Sequence, residues 1–88
     1  MNPFQSATLG RLAELDRSFA HALRDLERID RSIESARIYL ARPGANAALG
    51  RLHLARLRRR RAEAAALLKS LRAEARALVA LEPRPDES

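Results

Sequence analysis

The stretch Ala41-Arg42-Pro43-Gly44-Ala45-Asn46 decides what this chain can fold into. Proline removes a backbone donor and disfavours the helical conformation in the residue before it, so a helix arriving from the N-terminal side must end near Arg42. Gly44 supplies the backbone freedom a reversal needs, and Asn46 is a favourable N-cap for whatever follows. Both flanks are rich in Ala, Leu, Arg and Glu, which are strong helix formers. A break near the midpoint between two segments of about 35 residues predicts a helical hairpin about 50 Å long.

The flanks carry the pattern such a hairpin requires. With Leu12 at heptad position a, the a series reads Leu12, Phe19, Leu26, Ile33, Leu40 and the d series reads Leu15, Ala22, Ile29, Ala36. An unbroken apolar series at these spacings marks a coiled-coil seam. The second segment answers with Leu54, Leu57, Arg61, Ala64, Leu68, Leu71, Ala75 and Leu78, in which only Arg61 is charged. The expected fold is all-α: two long antiparallel helices in a coiled-coil hairpin, forming one domain over residues 1–82. Helix one should run from about residue 8 to 41, the turn from 42 to 46, and helix two from about 47 to 82. Gly10 weakens the first turns, and the Pro83-Arg84-Pro85 stretch makes 83–88 a flexible tail. A symmetric reversal brings together residues whose numbers add to roughly 89. It sets Arg61 near Arg28, with Glu27 and Asp30 within a turn, where carboxylates can neutralise it and fix the register.

Charge is uneven along the chain. The net +6 is almost wholly arginine, with Lys69 the single lysine, a balance that GC-rich coding also produces. The first segment is balanced, whereas the second carries nine basic residues from Arg51 to Arg76 against Glu63, Glu74 and Glu82. The run Arg58-Arg59-Arg60-Arg61 is the most visible local signal. Arg56, Arg58, Arg59 and Arg60 are therefore the candidate residues for an alternative function, binding of nucleic acid by an arginine-rich accessory protein. Four successive helical residues point around most of the circumference, however, and no aromatic side chain interleaves them for base stacking.

Several classes of chemistry find no support. The chain has no cysteine, and His21 and His53 belong to no metal-ligand spacing. Ser18, Ser32, Ser35 and Ser70 lack a nucleophile-elbow context, and no glycine-rich phosphate loop is present. Catalysis, a metal, a cofactor and a small-molecule substrate are accordingly not expected. The longest uncharged run, residues 1–10, is too short to span a bilayer and lacks the basic start of a signal peptide, so a cytoplasmic chain without a membrane span is expected.

What the seam leaves over is more informative. Leu9, Leu23, Ile38, Tyr39, Leu49, Leu52, Leu67, Val79 and Leu81 lie off it, and one hairpin has only one seam in which to bury apolar side chains. Their simplest use is a contact surface for another helical protein or a second copy of the chain.

A hairpin of this layout resembles the small helical proteins of bacterial type III secretion systems, and among them the needle-subunit co-chaperones. The likeness runs from Ala22-Leu23-Arg24 through Leu40-Ala41-Arg42-Pro43-Gly44 and on to Leu71. It implies a hairpin that pairs with a second chaperone and keeps a needle protein unpolymerised. Carried onto this sequence, it places the partner surface on Leu23, Ile38, Tyr39, Leu52 and Leu67. Needle subunits share the hairpin length and turn but end in an apolar helix, where this chain has an arginine-rich helix and a charged, proline-containing end. The function expected is thus non-enzymatic: a small adaptor or co-chaperone subunit that docks a partner through apolar residues outside the seam.

Overall fold

The computed structural model describes residues 3–81 and consists of two α-helices, α1 (Pro3–Leu40) and α2 (Ala47–Ala80), packed against each other as an antiparallel hairpin. The molecule is a rod of 69 × 16 × 16 Å, so no third layer covers either side of the helix pair. The tail predicted for 83–88 lies outside the described residues.

The turn forms as its residues dictate. The Ala41 amide donates to the Arg37 and Ile38 carbonyls and the Arg42 amide to that of Tyr39, closing α1 before Pro43. Gly44 takes φ 79°, the left-handed conformation that side-chain-bearing residues rarely adopt. Asn46 then caps α2: its side-chain oxygen accepts from the Leu49 amide at 3.0 Å, and its carbonyl accepts from Gly50. That cap satisfies one of the four amides a helix start leaves open.

The seam also forms as the heptad requires. Every d residue of α1, Leu15, Ala22, Ile29 and Ala36, is buried, and the a residues Leu12, Phe19, Leu26, Ile33 and Leu40 are half-buried. On α2, Leu54, Leu57 and Leu68 are buried, with Ala64, Leu71, Ala75 and Leu78 half-buried. The contact of Gly50 with Leu40 and the Arg61–Asp30 pair put facing residues at numbers that add to about 90. At some levels of that register large faces small, Leu26 at the level of Ala64, Leu54 at that of Ala36 and Leu40 beside Gly50, which lets the helix axes approach closely there. Even so, two helices cannot seal a core. The most buried side chains, Leu15 and Ala22, still show 3 % of their surface.

The start of α1 differs from expectation. α1 begins at Pro3 instead of near residue 8. Proline is preorganised for the first turn of a helix, and Thr8, one heptad before Leu15, is buried, so the seam rewards the extra turn. α2 ends at Ala80, with Leu81 as its C-cap.

Candidate protein-docking faces

The seam divides the rod into two long faces, each made of one flank of α1 beside one flank of α2. The first carries the g and c positions of α1, including Asp25, Arg28, Ser32, Ser35 and Tyr39, beside Leu49, His53, Arg60 and Leu67 of α2. Small side chains here leave a trough. Near the turn it holds about 540 Å³ between Arg28, Ser32, Ser35, Tyr39, Leu49 and His53, with Ala36 and Gly50 also lining it. A second hollow of about 350 Å³ continues it, from Arg28 and Ser32 to Arg60, Glu63 and Leu67. Ser32 turns its hydroxyl back on the Arg28 carbonyl at 3.1 Å, which keeps the trough open.

The carboxylates on this first face are paired, whereas Arg60 makes no ion pair among the described residues. Asp25 meets Arg28 at 3.8 Å and His21 at 3.6 Å, and Glu63 meets Arg59 at 3.8 Å. At the open end of the rod, Arg11 donates to Glu74 at 2.7 and 3.0 Å and to Glu14 at 3.0 Å, joining the two helices. Hydrogen bonding to Glu74, and then to Glu14, raises the Arg11 pKa above its ordinary value, so this clasp keeps its cation at every accessible pH.

The second face carries the e and b positions of α1 beside the opposite flank of α2. Arg61 donates to Asp30 at 2.6 Å here, a seam cation meeting one of the two carboxylates the hairpin register put within its reach. Both groups are about half exposed, so the pair contributes at most about 1 kcal/mol and acts mainly to set register. Arg72 lies over the Phe19 ring, 5.6 Å from its centroid. A shallow hollow of about 330 Å³ opens between Leu12, Asp16, Phe19, Leu71 and Arg72.

All nine apolar residues left over by the heptad stand 40–65 % exposed. The five put forward as one partner surface do not share a face. Leu23, at an e position, lies on the second face; Tyr39 and Leu67 lie along the trough; Ile38 and Leu52 lie on the outer backs of their helices, away from the seam. Each is exposed, but the helical period distributes them around the rod. Tyr39 is also structural, since its hydroxyl accepts from the Asn46 amide at 3.1 Å and ties the end of α1 to the cap of α2. Sequence reasoning missed Gly50 as well. It lies in the seam, seven residues before Leu57, and a Cβ there would run into the Leu40 side chain. The heptad extended by one repeat is the signal that finds it.

The arginine run gives no single stripe. Arg60 faces the trough, Arg58 lies on the second face, Arg59 is on the back of α2 paired with Glu63, and Arg56 is exposed between back and trough. Among the described residues no group of three or more His, Asp or Glu is placed to hold a metal ion, and no helix is long and apolar enough to cross a membrane. Comparison with protein-family models, with curated proteins and with solved structures returns no match for this chain.

Proposed function

We propose that this chain is a non-enzymatic protein-binding module, a small adaptor or co-chaperone subunit that lays a partner helix against the uncovered faces of its hairpin. The observation that carries the reading is the set of nine large apolar side chains at 40–65 % exposure on a chain with a single half-open seam. Burying what remains exposed of such a side chain contributes about 1 kcal/mol, and a partner helix recovers it for the residues on the face it covers. The trough, floored by small residues and rimmed by Arg28 and Arg60, suits the ridge of an amphipathic helix with acidic flanks. The likeness in layout to the needle-subunit co-chaperones of type III secretion systems agrees with this reading, in which the chain works in the cytoplasm on a helical client.

The test is affinity capture of the tagged chain from its source cells, with and without nuclease, beside the variants Leu23→Asp and Leu67→Asp. The expected result is one protein in near-equal amount, resistant to nuclease and lost in a variant whose helicity by circular dichroism is unchanged. A broad set that disappears with nuclease would overturn the reading and move the function to the arginines. Recovery of the bait alone, as a monomer, would overturn it too.

A further inference from the structure

The second face holds charged groups that the hairpin leaves without an ion pair. Eight carboxylates lie within residues 3–81, and six are in ion pairs. The two that make none among the described residues, Asp16 and Glu27, both lie on this face. Arg58, on its α2 side, also makes none. The half-buried a residues Leu12 and Phe19 line a hollow in it, and Ala13, Ala20, Ala62 and Ala65 are exposed.

From this we infer that the face is a self-complementary interface, on which a second copy of the chain docks to form a four-helix bundle. The inference rests on the reading that the uncovered faces bind protein, and it names the partner for this one. The face is 16 Å across and about 51 Å long, about 800 Å² per copy, the area a stable standard-size interface buries on each side.

Charge decides how the copies meet. Two identical faces pack about a twofold axis in two ways. An axis across the rod puts the turns at opposite ends and sets like helices together: Asp16 then meets Asp30 of the second copy, and Arg58 meets Arg72. It also lays α2 on α2, each with nine basic residues against two acidic, a net +7. An axis along the rod puts both turns at one end and lays α1 on α2 of the second copy at unchanged height. The residues pointing straight across are then Leu9 on Val79, Asp16 on Arg72, which also lies over Phe19 of its own chain, Leu23 on Ala65, and Arg58 on Asp30, which also holds Arg61 of its own chain. One like pair remains, Arg37 on Arg51, and Glu34 lies beside Arg37 at 4.0 Å. The structure thus assigns the arrangement with both turns together.

The chain has no cysteine, so engineered thiols report this geometry cleanly. Sedimentation equilibrium of the wild type is expected to give twice 9.8 kDa. A Leu23→Cys chain mixed with an Ala65→Cys chain is expected to form a disulfide-linked pair, and neither alone should link to itself. Self-linking of Leu23→Cys, which the axis across the rod brings about, would overturn the assignment. Asp16→Arg should weaken the dimer roughly tenfold or more, since symmetry counts the change twice, and adding Arg72→Asp should restore it. A wild type that stays at 9.8 kDa at every concentration would overturn the inference. If that monomer still captures another protein, the proposed function stands; if it captures none, both fall.

Discussion

The turn end and the open end of this rod use the same heptad to different effect. Beside the turn, Ala36, Leu54 and Leu57 form a cluster of buried residues, with Ile33 and Leu40 packed on it. At the open end, Thr8 and Leu15 are buried but the residues around them, Leu12, Phe19, Leu71, Ala75 and Leu78, are only half-buried, and an exposed ion pair, Arg11 with Glu74, adds to the joining. Each contact also closes a different length of chain. Leu40 meets Gly50 across a ten-residue loop, whereas Arg11 meets Glu74 across 63 residues. The entropy of closure rises with that length, although slowly, and the turn end adds a cap and a tyrosine hydroxyl bond to tight packing. Stability should therefore fall along the rod from the turn outward, and amide exchange should show that gradient.

The largest expected effect breaks the strong end. Leu57→Ala removes a buried side chain from the cluster and should cost about 2–4 kcal/mol, read from the urea midpoint. In a chain this small that is enough to unfold a substantial fraction at ordinary temperature. Leu78→Ala, the same change in the half-buried seam of the open end, should cost only about 1 kcal/mol. Equal losses would mean that the seam packs equally well at the two ends.

Next comes Gly50→Leu. Gly50 is buried with Leu40 across from it, so a leucine side chain overfills the seam, and the expected cost is about 1–3 kcal/mol. A smaller effect belongs to the cap. Asn46→Ala removes the acceptor for the Leu49 amide and should cost about 1 kcal/mol, with exchange rising first in the amides at the start of α2.

These positions also show what the sequence makes legible. The heptad named the apolar seam residues of both helices, Thr8 and Gly50 apart, and it anticipated that Arg61 would find Asp30 or Glu27, because a charge in a seam has few neighbours within reach. The same reasoning found the large apolar residues that stand exposed among the described residues, since whatever a single seam cannot hold must stand outside it. Gly50 escaped because glycine reads as a helix breaker until its opposite number, Leu40, is known. Tyr39 escaped because its hydroxyl bond depends on the path of the turn, which residue types do not specify. The two faces escaped for a similar reason. Periodicity says which residues leave the seam, whereas which carboxylate goes unpaired depends on rotamers and on the register to within one residue.

The smallest effect sharpens the comparison from the weak end. Gly10 lies in α1 on the side away from the seam, with no atom near the position a Cβ would take. Alanine there loses less backbone entropy on folding and should stabilise by about 0.5–1 kcal/mol. Because the open end closes last, the gain should appear first as slower exchange in the amides from Arg11 to Leu15, and only afterwards as a shift of the global midpoint. If Gly10→Ala slows those amides and leaves the midpoint unmoved, the open end opens independently of the turn end, and the gradient is steep. If the midpoint moves by the full amount, the two ends are coupled through the seam, and the clasp of Arg11 on Glu74 holds more than its exposure suggests.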